Sequence, residues 1–146
     1  MNPSRGSRSA RLLLVEDSPA DARYLREIFR EAKLRNHLHH VTDGEAALAY
    51  LEESTKLPDL VLLDMHLPGM QGDELVAAIR ADARLTSLPI VLLAPSQLHA
   101  ERLHGHGLHA HCCLLKPISA SALLELVGKI DSLGVALVTE EDEEAA

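Results

Sequence analysis

At 146 residues the chain has room for one domain with a buried core and too little length for a second of ordinary size. With 47% hydrophobic and 25% charged residues it has the balance of a soluble globular protein, which excludes disordered and fibrous classes. The formal charge of −8 is concentrated in the terminal run Glu140, Glu141, Asp142, Glu143 and Glu144, and without a Lys/Arg-rich stripe nucleic-acid binding is excluded.

Residues 1–9 read as a flexible polar arm without the apolar segment of a signal peptide. No apolar stretch approaches the roughly 20 residues of a membrane span, so the expected location is the cytoplasm. Arg11 to Val15 is the first apolar run, closed by Glu16-Asp17-Ser18, and suits a strand covered on both faces. Ser18-Pro19 is a helix start, and Ala22, Leu25, Ile28, Phe29 and Ala32 predict one buried stripe on a helix reaching Ala32. His37 to Val41 reads as a second strand, and Thr42-Asp43-Gly44-Glu45 has the capping-box spacing of a helix running to Glu53.

Leu60 to Leu63 is a third strand ending in Asp64, and after a loop bearing Pro68 and Gly69 a helix is predicted over Asp73 to Ala83. Ile90 to Ala94 and Ala110 to Leu115 are further strands, separated by a His-rich segment read as a helix starting near Ser96. A last helix spans Ser119 to Leu133. Five strands alternating with five helices predict a doubly wound α/β fold on a parallel sheet, because parallel neighbours require crossover connections. The folded domain is assigned to residues 10–133, followed by a C-terminal extension, 134–146, that ends in the acidic tail.

Ligands of open α/β sheets bind beyond the carboxyl ends of the strands. Glu16 and Asp17 follow the first strand, Asp64 the third, and Lys116-Pro117 the fifth, bringing three carboxylates and an ammonium to one edge. Clustered carboxylates repel unless a cation intervenes, and hard oxygen ligands suit Mg²⁺. Such an ion leaves positions open for phosphoryl oxygens, and Lys116 supplies a second positive charge.

Leu14-Val15-Glu16-Asp17-Ser18, Leu62-Leu63-Asp64-Met65-His66-Leu67-Pro68-Gly69-Met70, Gly72 and Leu115-Lys116-Pro117 together resemble the receiver motifs of two-component response regulators. The resemblance implies that Asp64 is the phosphoacceptor and that Glu16, Asp17, Asp64 and the backbone carbonyl of His66 bind Mg²⁺. It also implies that Lys116 contacts the phosphoryl group, that the strand order is 2-1-3-4-5 in a flavodoxin-like sheet, and that the Lys116-Pro117 bond is cis. Val15-Glu16-Asp17-Ser18-Pro19-Ala20-Asp21 and Val41-Thr42-Asp43-Gly44-Glu45-Ala46-Ala47-Leu48 are similar to the stand-alone regulators paired with bacterial phytochrome histidine kinases. The partners so implied are a sensor histidine kinase of that type and a downstream or phosphorelay protein, and the module is a signalling domain rather than an enzyme.

Two switch positions depart from the family. Ala94 stands where Thr or Ser supplies a hydroxyl, and Cys113 where Tyr or Phe supplies a rotating ring. The alternative function is therefore a degenerate receiver acting as a phosphorylation-independent dimerisation or docking module. A small hydrolase on this fold would need a second acid or base near the nucleophile, and no residue with usable spacing offers one. The histidines His104, His106, His109 and His111 match no standard zinc spacing and read as solvated loop residues. Cys112 and Cys113, adjacent on a strand, point to opposite faces and are badly placed to bond each other. Helix packing accounts for Tyr24, Tyr50 and Phe29, and the apolar stretch Leu133 to Val138 predicts a homodimer.

Overall fold

A computed structural model describes residues 10–32, 34, 36–96 and 112–129. The elements in chain order are β1 (Ala10–Val15), α1 (Pro19–Glu31), β2 (Asn36–Val41), α2 (Gly44–Glu53), β3 (Leu60–Asp64) and α3 (Gly72–Arg80). A 3-10 turn (Ala83–Leu85), β4 (Ile90–Ala94), β5 (Cys112–Leu115) and α4 (Ala120–Lys129) follow. All strand pairs are parallel and the order is β2-β1-β3-β4-β5, as the family resemblance implies.

Strand alternation divides the core into two layers. Leu12, Leu14, Leu60, Leu62, Val91 and Leu93 face one side, where Ala22, Leu25, Ile28 and Phe29 of α1 and Leu123 and Leu126 of α4 cover them. Leu13, Val15, Val61, Leu63, Ile90 and Leu92 face the other, beneath Ala47 and Leu51 of α2 and Leu75, Val76 and Ile79 of α3. Burial on both faces is why β1, β3 and β4 are continuous apolar runs rather than alternating ones. Each fully buried Leu or Ile contributes about 1.5–3 kcal/mol, so these two layers carry most of the driving force for folding.

The helix boundaries differ from expectation where a local cap competes. Asp43, not Thr42, caps α2: its Oδ1 accepts the Ala46 amide at 2.7 Å, and a carboxylate gains more than a hydroxyl from the helix dipole. The third helix stops at Arg80 rather than Ala83, because Asp82 accepts the Arg84 amide at 2.9 Å and starts the separate 3-10 turn. Four α-helices are present among the described residues, against five expected. The helix expected near Ser96, the residues Ala110 and His111 of the fifth strand, the continuation of the last helix to Leu133, the N-terminal arm and the C-terminal extension lie outside the described residues.

Phe29 is buried in the core as helix packing requires. The tyrosines depart from that expectation. Tyr24 is 45% exposed and its hydroxyl donates to the Ile118 carbonyl at 2.9 Å, while the Tyr50 ring stacks on His39 at 4.2 Å between centroids. Among the described residues no helix is long and apolar enough to cross a membrane.

Candidate functional site

The site lies where β1, β3 and β5 end. Parallel register brings Val15 beside Leu63, so the residues that follow, Glu16 and Asp64, emerge side by side. Glu16 and Asp64 are 2% and 5% exposed, the buried charged residues of a core that is otherwise apolar. Carboxylate oxygens of Glu16, Asp17 and Asp64 lie within 4.8 Å of one another. These are the three acidic residues singled out from sequence.

Glu16 is fixed at four points. Its amide donates to the Val41 carbonyl at 3.0 Å, and its own carbonyl lies 2.6 Å from His40 Nε2, which must carry a proton to donate to an oxygen that only accepts. One carboxylate oxygen accepts the Ser18 amide at 3.2 Å, and the other accepts from Lys116 Nζ at 2.9 Å. Ser18 at the same time caps α1, its Oγ accepting the Asp21 amide at 3.2 Å. The β1–α1 turn thus takes its shape from the cap and delivers the carboxylate inward.

Lys116 follows β5 across a cis peptide bond to Pro117, and its amide donates to the Ala94 carbonyl at 2.8 Å. Its ammonium lies 2.9 Å from Glu16, 3.0 Å from Asp21 and 3.3 Å from Asp64. Burial pushes the Glu16 carboxyl up to about 7, outweighing the opposing bonds from Lys116 and Ser18. Burial works against the Lys116 ammonium too, but Glu16, Asp21 and Asp64 together hold its pKa above the ordinary value. Four carboxylates against one ammonium leave an excess of negative charge at a half-buried edge, and a divalent cation with oxygen preference matches that donor set.

Below the site, Gly72 allows α3 to approach. Its amide donates to the Met65 carbonyl at 2.9 Å, and a Cβ there would meet Met65 Cα at 3.0 Å and the Asp64 carbonyl oxygen at 3.1 Å. Gly69 adopts φ +78° in the loop between, a conformation that glycine adopts without a side-chain clash. His66 stands exposed two residues past Asp64.

Ala94 is fully buried at the end of β4, and its methyl cannot make a hydrogen bond. Cys113, paired in register with Leu92, packs partly buried on the α2–α3 side as a free thiol, and burial raises its pKa. The contacts of Asp21 and Tyr24 with the Lys116–Ile118 segment and of His40 with Glu16 were not anticipated from sequence. The repeated aspartate in Glu16-Asp17-Ser18-Pro19-Ala20-Asp21 was the only available signal for the first.

The response regulator receiver domain model matches residues 12–128, and the chain belongs to that family. The chain is 34% identical over 133 residues to response regulator Rcp1 of Synechocystis sp., covering 88% of this chain and 90% of Rcp1. Among solved structures it is similar to the phosphorylated cyanobacterial phytochrome response regulator RcpA, at 32% identity and TM-score 0.69, covering 88% of this chain and 95% of RcpA. It is also similar to the Mn(2+)-bound form of response regulator Rcp1, at 32% identity and TM-score 0.67, covering 89% and 97% of the two chains. The order of elements and the sheet are therefore those of a receiver domain.

Proposed function

We propose that residues 10–133 accept a phosphoryl group on Asp64 from a phosphohistidine of a sensor histidine kinase, with Mg²⁺ held by Glu16, Asp17, Asp64 and the His66 carbonyl. The grouping of three carboxylates within 4.8 Å beside the Lys116 ammonium carries this reading. Similarity to phytochrome response regulators supports a kinase of the phytochrome type, and the Mn(2+)-bound relative supports a divalent ion at the acidic edge. The ion, when bound, neutralises the carboxylates and the developing charge on the phosphoryl oxygens.

In the transfer a carboxylate oxygen of Asp64 forms a bond to phosphorus as the nitrogen–phosphorus bond breaks. The electron pair of that bond goes to the leaving imidazole nitrogen, which takes a proton from solvent. Lys116, 3.3 Å from Asp64, supplies positive charge to the phosphoryl oxygens. The Glu16 backbone is held by Val41 and His40 and its carboxylate by Ser18, at the place where the metal would sit, so the chain does little more than position groups and balance charge.

Output passes through contact with a downstream or phosphorelay protein in the cytoplasm, and a second copy of the chain is a further partner. Exposed Leu115 and Leu124, 42% and 44% accessible on β5 and α4, offer apolar surface for such contacts. A phosphorylation-independent docking module is the second reading, favoured by Ala94 and Cys113. The complete acidic edge favours the first.

The test is transfer from a labelled phytochrome-type kinase domain. Label should move to the native chain in Mg²⁺, and should not move in EDTA or to Asp64→Asn. Binding of the unphosphorylated chain to its target, with no label transferred, would support the docking reading instead.

A further inference from the structure

Lys116 Nζ donates hydrogen bonds to Glu16 Oε2 at 2.9 Å and Asp21 Oδ2 at 3.0 Å, and forms an ion pair with Asp64 Oδ1 at 3.3 Å. Two of these three carboxylates belong to the acidic group that meets within 4.8 Å, and Asp21 does not. Asp21 sits in the first turn of α1, where the helix dipole favours its charge and Ser18 caps its amide. One turn on, Tyr24 donates to the Ile118 carbonyl at 2.9 Å. The same face of α1 therefore grips the segment after β5 twice, on either side of Pro117.

Half of the Asp21 side chain is exposed, and an ion pair of that kind adds little to stability. Its consequence is direction rather than energy. When Glu16 and Asp64 turn to a metal and a phosphoryl group, Lys116 loses two of its three anchors, and Asp21 is the one left outside the exchange. Resting on the phosphoacceptor reading above, we infer that Asp21 is a positioning residue for Lys116, assisted by Tyr24. It keeps the ammonium aimed across Asp64 while the other carboxylates serve the metal and the acceptor.

The test compares phosphoryl uptake from acetyl phosphate in the native full chain, Asp21→Asn, Asp21→Glu and Tyr24→Phe, each across a Mg²⁺ series. Asp21→Asn should be roughly 10-fold slower at saturating Mg²⁺, since a misaimed charge costs rate. The Mg²⁺ giving half-maximal rate should stay within about twofold, because Asp21 lies outside the metal group. Asp21→Glu should recover part of the rate, and Tyr24→Phe should lose about 2-fold with the same Mg²⁺ requirement.

Native-rate uptake by Asp21→Asn would overturn the inference while leaving the acceptor reading intact. So would a raised Mg²⁺ requirement in Asp21→Asn, which would place Asp21 on the metal instead. Absence of uptake by the native chain would overturn the acceptor reading and this inference with it.

Discussion

The ammonium of Lys116 stands 2.9 Å from the buried carboxylate of Glu16, joining the end of the last strand to the end of the first across 100 residues of chain. Removing it as Lys116→Met leaves buried Glu16 and Asp64 without their cation, and the metal-free fold should lose about 1–3 kcal/mol in urea unfolding. Mg²⁺ should bind more tightly to this variant, since no ammonium competes for the carboxylates, while phosphoryl uptake should fall about 100-fold. Unchanged Mg²⁺ affinity by calorimetry would show that Lys116 and the metal do not share ligands.

Glu16 makes metal-free stability depend on pH. Its carboxyl is raised from 4.5 to about 7 in the fold, so between those values the folded state binds more protons than the unfolded state. The contribution is fully present below 4.5 and is lost as pH rises through about 7. Thermal melts without metal should show the native chain losing more stability than Glu16→Gln between pH 5 and 8, as expected for one carboxyl that gives up its proton. Saturating Mg²⁺ should stabilise the native chain more at pH 8 than at pH 5. Parallel pH profiles for the native chain and Glu16→Gln would contradict this assignment.

Gly72 meets backbone rather than a movable side chain. A Cβ at that position lies 3.0 Å from Met65 Cα and 3.1 Å from the Asp64 carbonyl oxygen, so Gly72→Ala must displace α3 or the β3 terminus. The expected cost is about 1–3 kcal/mol, together with slower phosphoryl uptake because the strain falls beside Asp64. Gly44→Ala is the comparison: its nearest neighbour is the flexible Met70 side chain, at 2.9 Å from Sδ, and it should cost less. Equal melting temperatures for the two variants would count against the backbone argument.

Ala94 is where acceptance and readout should come apart. It is fully buried, its carbonyl already accepts the Lys116 amide at 2.8 Å, and it offers no hydroxyl toward Asp64. Beryllofluoride should shift native amide resonances in the turns after β1, β3 and β5, with smaller effects along β4 and β5. Ala94→Thr should keep native-like uptake and extend those shifts to Cys113. Identical shift maps would mean that position 94 takes no part in transmission.

The parts of this molecule legible in its sequence are those decided over short distances. Arg11 to Val15 and Leu60 to Leu63 read as strands because burial on both faces demands apolar runs. Ser18-Pro19 reads as a helix start because its capping chemistry is complete within three residues. Glu16, Asp17, Asp64 and Lys116 were recognisable because each ends or follows an apolar run at the edge where α/β sheets bind ligands. Asp21 and Tyr24 were not, since their partners lie 95 and 94 residues away and no local spacing marks them. The choice of Asp43 over Thr42 was lost for the opposite reason: two adjacent residues both able to cap, decided by which oxygen reaches the Ala46 amide.

The most direct test of the central claim is intact mass after incubation with acetyl phosphate and Mg²⁺, for the native chain and for Asp64→Asn. The account expects one phosphoryl adduct on the native chain and none on the variant. An equal adduct on both would place the phosphoryl group elsewhere, and no adduct on the native chain, with no beryllofluoride binding, would contradict the acceptor role of Asp64.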